Sequence, residues 1–114
     1  MQVLKTAEDC QRAVEENPDC LIAFSATWCK PCKVLKPYLE DVALTRMQVL
    51  YVDIDQVPDF ASWCKVRSIP TVLVQQRGNT VNAITGCSPS TLMELVDELE
   101  SPEEVQTSAR KIKA

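Results

Sequence analysis

The sequence predicts an α/β fold with a central mixed five-stranded sheet flanked by four helices. Its 114 residues, of which 46% are hydrophobic and 25% charged, suit one compact domain. Strand-like and helix-like segments alternate along the chain, which indicates a sheet layered against helices. Gly78-Asn79 separates two strand-like segments and predicts a hairpin, so that at least one strand pair is antiparallel and the sheet is mixed.

The first predicted elements are a strand, a helix and a central strand. Gln2–Lys5 alternates in polarity over a short stretch, and Thr6 with Asp9 three residues later resembles a capping box that opens a helix to about Glu16. The expected buried stripe of this helix is Cys10, Ala13 and Val14. Cys20–Ala26 is almost continuously apolar, which predicts a strand covered on both faces.

A second helix is predicted after this strand. Pro31 suits its first turn, where no backbone donor is needed. Apolar side chains then continue at helical spacing at Val34, Leu35, Tyr38, Leu39 and Val42. Pro37 lies inside this pattern and predicts a kink.

The second half of the chain supplies three more strands and two more helices. Met47–Asp53, Thr71–Gln76 and Thr80–Ile84 are predicted strands, and Pro58 to about Lys65 is a predicted short helix. The last helix is capped by Ser88, starts with Pro89 and turns Leu92, Leu95, Val96 and Leu99 to one face.

The domain is predicted to span residues 1–100. From Ser101 to Ala114 the sequence is rich in Pro, Glu, Gln, Ser and Lys and has little apolar periodicity. We interpret this segment as a polar C-terminal tail.

Charge and composition exclude several classes of function. A net charge of −4 gives no basic patch for nucleic acid, and the absence of histidine excludes imidazole zinc sites and Cys-His or Ser-His catalysis. Residues 1–9 lack a basic segment followed by an apolar stretch, and nothing approaches the roughly 18 apolar residues of a membrane span. We therefore expect no membrane contact and a cytoplasmic protein with mostly reduced thiols.

The chemically notable feature is the pair Cys29 and Cys32. Cys29 is predicted at a helix start, where free N–H groups and the helix dipole favour a thiolate, so it is the expected nucleophile. Cys32 lies one turn further and deeper, which suits a resolving cysteine. Half of a zinc ribbon or two plain buried cysteines would show the same spacing, but zinc needs two more ligands, and neither Cys64 nor Cys87 belongs to a second paired motif, so we expect no metal.

The active-site run resembles that of the thioredoxins. Phe24–Lys33, followed by Lys36-Pro37, is similar to the family's usual Trp-Cys-Gly-Pro-Cys-Lys, and Asp53–Asp55, Ile69–Thr71 and Gly86 fall where the family has matching elements. The resemblance implies the thioredoxin fold and a protein disulfide reductase. Such a protein cycles between dithiol and disulfide through a mixed disulfide.

The resemblance also implies a substrate groove and partners. Ile69-Pro70 is expected to be a cis peptide facing the cysteines. The substrate-binding residues carried over are Trp28, Lys30, Pro31, Ile69, Pro70 and Gly86. We expect a monomer with no bound cofactor, recharged from NADPH by a thioredoxin-reductase-like flavoprotein, and acting on disulfide-containing proteins such as peroxiredoxins or other reductases.

This chain departs from the family pattern at three positions. Ala23 stands where thioredoxins usually bury an aspartate beneath the resolving cysteine, and Tyr51 stands where many have a partner lysine, so slower resolution is expected. Lys30 replaces the usual glycine, and its charge should favour the Cys29 thiolate and a more oxidising disulfide. An exposed lysine at a tolerant position is the other interpretation.

Four cysteines lie outside the motif. Cys10 and Cys20 fit apolar patterns, whereas Cys64 and Cys87 are candidate regulatory thiols, and Cys87 is the better candidate because we expect it exposed beside the groove.

Two other functions compete with the reductase. Lys30 could favour an oxidase or isomerase, and the missing aspartate would suit a non-catalytic adaptor.

Overall fold

The computed structural model describes residues 1–100, and the predicted tail at 101–114 lies outside the described residues. The strands are β1 (Gln2–Leu4), β2 (Cys20–Ser25), β3 (Val49–Asp53), β4 (Thr71–Gln76) and β5 (Asn79–Thr85). The helices are α1 (Ala7–Glu16), α2 (Lys30–Thr45), α3 (Pro58–Trp63) and α4 (Pro89–Glu100). Each predicted element is present, in the predicted order.

The five strands form one mixed sheet in the order β1-β3-β2-β4-β5. β3 pairs in parallel with β1 and β2, while β4 is antiparallel to both β2 and β5. The predicted fold class is thereby confirmed. β2 lies at the centre and all six of its residues are buried, as its apolar sequence predicts.

Each face of the sheet carries its own apolar core. On one face α1 and α3 pack over the strands, and the Phe24 and Phe60 rings lie 5.9 Å apart. On the other face α2 and α4 bury Leu35, Leu39 and Leu92 against β2, β3 and β4. A sheet covered on both sides holds its strand ends in fixed positions, and the cysteine pair follows one of these ends.

Capping chemistry sets the start of α1 and the end of α3. The Thr6 hydroxyl accepts the N–H of Asp9 at 3.0 Å, which satisfies one free donor of the first turn. α3 ends earlier than predicted, because Cys64 caps it and Lys65 takes the left-handed conformation with φ of 63°.

The buried stripe of α2 is narrower than the apolar sequence pattern. Leu35, Leu39 and Val42 are buried, but Val34 and Tyr38 are exposed on the flank of the helix. Pro37 lies inside the continuous helix, and a kink there stays a prediction. At 16 residues α2 is the longest described helix, and within residues 1–100 none is long and apolar enough to cross a membrane.

Ion pairs fasten the last helix to the second. The Arg46 guanidinium, just past the end of α2, contacts Asp97 at 2.6 Å through one nitrogen and donates through Nε to Glu100 at 2.9 Å. The hydrogen bond and charge of Arg46 lower the pKa of Glu100. This contact closes α4 over the α2 side of the sheet.

Candidate active site

Cys29 and Cys32 form a disulfide at the start of α2. Their Cα atoms are 5.3 Å apart. Cys29 is the N-cap of the helix, and its sulfur accepts the backbone N–H of Cys32 at 3.3 Å. The sulfur of Cys29 therefore takes the position that a serine or aspartate oxygen takes at other helix starts.

Backbone geometry sets the direction in which the two cysteines point. The chain turns directly after β2, where the Cys29 N–H donates to the Ala26 carbonyl at 3.2 Å. The Lys33 N–H then donates to the Cys29 carbonyl at 3.2 Å and begins the helical ladder. Pro31 lies in this first turn, where its missing donor costs nothing. The predicted helix start between the two cysteines is confirmed.

The disulfide is sheltered on one side and bordered by an exposed indole on the other. Cys29 is 5% exposed and Cys32 is 2% exposed, in contact with Ala26 and Ile69. Trp28 is 64% exposed, so it is a surface aromatic beside the cysteines and not a core side chain. An apolar rim next to a nearly buried disulfide suits contact with a protein chain.

Asp55 holds the Trp28 ring in place, a role that the sequence analysis did not assign. The indole N–H donates to the Asp55 carboxylate at 2.7 Å. Asp53 shapes the turn after β3, because its carboxylate accepts the Asp55 N–H at 2.8 Å. The resemblance to the thioredoxins already included Asp53–Asp55. The hydrogen bond to Trp28, however, depends on β3 lying next to β2, which the sequence alone does not give.

Two distant segments complete the site. Ile69-Pro70 is a cis peptide, as expected, and Ile69 packs against the two cysteines. The Pro70 carbonyl accepts the N–H groups of Gly86, at 2.9 Å, and Cys87, at 3.2 Å. Gly86 has φ of 66°, a left-handed conformation that glycine adopts without strain. The fold thus brings Ile69-Pro70 and the Gly86 loop, two of the segments to which the resemblance assigns a groove, next to each other, and their role in binding stays a prediction.

The expectation that Cys87 is exposed is wrong. Cys87 is 3% exposed, because its side chain packs into the core beneath α4 with Leu92 and Leu95. Its sulfur lies 3.6 Å from the Ser88 carbonyl oxygen, and burial raises the pKa of the Cys87 thiol. A protonated, buried thiol is poorly suited to regulation by oxidation.

Cys64 is half-buried against the core on the α1 and α3 side. Burial, with a smaller contribution from the charge of Cys10, raises the pKa of Cys64 from 9.0 to about 11. Burial and the neighbouring Asp9 likewise raise the pKa of Cys10 to about 11. Among residues 1–100 no cluster of three or more Cys, His, Asp or Glu side chains could hold a metal ion. A regulatory role for Cys64 stays a prediction.

The strand register places Tyr51 directly beside Ala23. The two are paired neighbours on β3 and β2, as expected for the positions of the missing charged pair. Ala23 is 2% exposed in the apolar core under α2. The Tyr51 hydroxyl reaches along β2 and donates to the Ser25 hydroxyl oxygen at 2.6 Å, and the Lys36 ammonium lies 5.4 Å from the Tyr51 ring centre.

Sequence comparison finds the same family throughout. The thioredoxin family model matches residues 2–98. Human thioredoxin is 34% identical over 93 residues, which cover 78% of this chain and 89% of the human protein. The mitochondrial thioredoxin-3 of Saccharomyces cerevisiae is 33% identical over 88 residues, covering 75% of this chain and 69% of the yeast protein.

Solved structures agree with these sequence matches. Fasciola hepatica thioredoxin superposes with a TM-score of 0.79 at 30% identity, covering 85% of this chain and 97% of that chain. A second match has a TM-score of 0.77 at 26% identity and covers 86% of this chain and 94% of that chain. It comes from a structure that describes the thiol resolving mechanism in yeast mitochondrial 1-Cys peroxiredoxin via glutathione/thioredoxin systems. With its Cys29–Cys32 pair, the chain belongs to the thioredoxin family of thiol–disulfide oxidoreductases and is a protein disulfide reductase that needs no bound cofactor.

Proposed function

We propose that Cys29 is the attacking thiol of this reductase and that Cys32 resolves the intermediate. The observation that carries the proposal is the N-cap position of Cys29, whose sulfur accepts the Cys32 N–H. In the reduced protein this donor and the helix dipole stabilise negative charge on Cys29 by about 0.3–1 kcal/mol, and by up to ~2 kcal/mol where partly buried. The more buried Cys32 has no such position.

The proposed cycle transfers two electrons to the substrate. The Cys29 thiolate attacks one sulfur of a substrate disulfide, and the other substrate sulfur leaves as a thiolate. Cys32 loses its proton to solvent and attacks the Cys29 sulfur. The bond between Cys29 and the substrate breaks, the second substrate thiolate leaves, and the Cys29–Cys32 disulfide of this structure is formed.

The substrate groove is proposed to lie around Trp28, Ile69, Pro70 and Gly86. Supporting this is the way Asp55 fixes the exposed Trp28 ring, while hydrogen bonds to Pro70 fix the Gly86 loop. A rim held in this way loses little conformational freedom when an extended substrate segment binds. Lys30 and Pro31 are exposed between the cysteines and would contact the same segment.

Electrons are proposed to come from NADPH through a thioredoxin-reductase-like flavoprotein, with peroxiredoxins among the protein substrates. The structural match from yeast peroxiredoxin work supports the choice of substrate. We propose that the protein is a monomer and cytoplasmic. One relative is mitochondrial. The location is tested by imaging two tagged forms of the protein, one with the tag at the N-terminus and one with the tag at the C-terminus.

Trapping experiments test the division of roles between the cysteines. Cys32→Ser should accumulate mixed disulfides with substrate proteins, because attack survives while resolution does not. The matched Cys29→Ser variant should trap none. Equal trapping by both variants would show that the roles are not divided as proposed.

An insulin assay tests the direction of electron flow. With NADPH and a thioredoxin reductase, the parent protein should reduce insulin disulfides, and Cys32→Ser should not turn over. Failure of the parent to turn over, despite a reducible Cys29–Cys32 pair, would contradict the proposed electron source.

A further inference from the structure

We propose that the hydroxyl pair of Tyr51 and Ser25, next to the Lys36 ammonium, stabilises the thiolate of Cys32 during resolution. The inference rests on the proposed role of Cys32 as the resolving thiol. Tyr51 and Ser25 would act on the negative charge of the Cys32 sulfur, which would otherwise form in an apolar setting.

The direction of the hydrogen bond leaves a donor free. The Tyr51 hydroxyl donates to the Ser25 oxygen at 2.6 Å, so the single proton of the Ser25 hydroxyl is left available for another acceptor. Accepting a hydrogen bond also polarises the Ser25 O–H and strengthens it as a donor. Ser25 is 4% exposed, and water competes weakly for that proton.

The position of the pair relates it to the resolving cysteine. Ser25 ends β2 and is followed directly by Ala26, which packs against both cysteines. Lys36 follows Cys32 by one helical turn on the same side of α2, and its ammonium lies over the Tyr51 ring. The hydroxyl pair therefore lies on the α2 side of the sheet, at the end of β2 that leads into the turn carrying Cys29 and Cys32.

The chemistry of resolution requires such groups. Cys32 must become a thiolate before it attacks the Cys29 sulfur, and at 2% exposure it lacks the water that stabilises a thiolate at the surface. A hydroxyl donor and an ammonium one helical turn along α2 both favour a charged sulfur. Hydroxyls do not accept the Cys32 proton at neutral pH, so that proton leaves to solvent and the pair acts on the thiolate alone.

The other charged or titratable groups near this turn leave the assignment unchanged. From β3, the Asp53 carboxylate is turned to the Asp55 N–H in the following loop. From β4, the Thr71 hydroxyl donates to the Ser68 carbonyl at 2.6 Å. Lys33 on α2 is exposed. The assignment therefore falls to the buried Ser25 hydroxyl, the Tyr51 hydroxyl bonded to it and the exposed Lys36 ammonium over the Tyr51 ring.

The test separates attack from resolution in one experiment. Reduced protein is mixed with substoichiometric 5,5′-dithiobis(2-nitrobenzoate) in a stopped-flow instrument, and the two releases of thionitrobenzoate are followed between pH 5 and 10. The first release reports attack by Cys29 and the second reports resolution by Cys32. Tyr51→Phe and Ser25→Ala should each slow the second release about 10-fold at pH 7 and move its pH profile up by about one unit.

Controls distinguish thiolate stabilisation from structural damage. Tyr38→Phe removes the hydroxyl of an exposed tyrosine on α2 and should leave both releases unchanged. Ser25→Thr keeps a hydroxyl and should restore resolution. Combining Tyr51→Phe with Ser25→Ala should slow resolution no more than the stronger single change, because both belong to one donor chain.

Specific outcomes would overturn the proposal. An unmoved pH profile of the second release in Tyr51→Phe and Ser25→Ala, or equal slowing of both releases, would contradict it. So would additive effects in the double variant. Cys32→Ser separates this failure from that of the proposed function, because it must lack the second release if Cys32 is the resolving thiol at all.

Discussion

Placing an aspartate at Ala23 should destabilise the protein and yet speed resolution. The new carboxyl group would lie in the apolar core beneath α2, beside Tyr51 in the strand register. The described residues around this point offer no lysine on the paired strand position. Burial then opposes the charged form and raises the pKa of the new carboxyl above its usual value of about 3.9.

The size of the effect depends on pH in a defined direction. Burying the neutral carboxyl with incomplete hydrogen bonding costs roughly 1–3 kcal/mol at all pH values. A rise of about two pKa units adds ~3 kcal/mol once the unfolded chain is ionised. Because the folded pKa is the higher one, this second cost is absent below about pH 4 and is complete above the folded pKa. The unfolding free energy of the variant should therefore fall relative to the parent between pH 4 and pH 7.

Denaturant unfolding of Ala23→Asp, Ala23→Asn and the parent measures this cost. Asparagine has nearly the same shape without a titratable proton, so its deficit relative to the parent should not change with pH. Stopped-flow resolution supplies the functional half, where a carboxylate near Cys32 acting as a general base should give roughly 10²-fold acceleration at neutral pH. A pH-independent deficit for Ala23→Asp would refute the electrostatic argument, and resolution no faster than the parent would show that Ala23 has no functional meaning.

Two further predictions follow from charge and burial. Burial raises the pKa of Cys10, Cys20 and Cys64 to about 11, so the contribution of these thiols to the unfolding free energy should be constant from neutral pH to about pH 9 and should fall between pH 9 and 11, where only the unfolded thiols ionise. Cys20→Ala should reduce that alkaline loss relative to its own value at pH 7, and an unchanged alkaline slope would contradict the assignment to buried thiols. Lys30→Gly should disfavour the Cys29 thiolate and make the disulfide less oxidising. The reduction potential should fall by about 30 mV for each 1.4 kcal/mol by which the reduced form is destabilised. A redox titration that finds the same potential would leave Lys30 as a surface residue.

The sequence predicted the features that depend on local chemistry. Cys20–Ser25 is apolar at nearly every position, so both its strand conformation and its central place follow from the need to cover two faces. Thr6 marks the start of α1 because its hydroxyl caps the first turn. Gly78 marks the turn between β4 and β5 because it adopts a positive φ there. The start of α2 at Lys30 follows from the same logic and places Cys29 at the cap.

Features that depend on tertiary neighbours could not be predicted in the same way. Cys87 follows a glycine in a loop and is expected at the surface, but the tie from Pro70 to the Gly86 loop turns it into the core. Trp28 and Asp55 are 27 residues apart, and only the pairing of β2 with β3 brings them together. The exposure of Val34 shows that apolar spacing alone does not tell how wide a face the sheet can cover.

The register of β2 and β3 connects two of the three positions at which this chain departs from the usual family pattern. Ala23 and Tyr51 are paired neighbours, so one charged residue at either position would lie buried without its partner. With both absent, the core around Ala23 under α2 keeps its apolar character, and the Tyr51 and Ser25 hydroxyls are polar groups on that side of the sheet. Hydroxyls stabilise a thiolate without taking its proton, whereas a carboxylate takes the proton itself. Resolution in this protein should therefore speed up steadily with pH until the Cys32 thiolate is formed, whereas Ala23→Asp should add a second ionisation at lower pH.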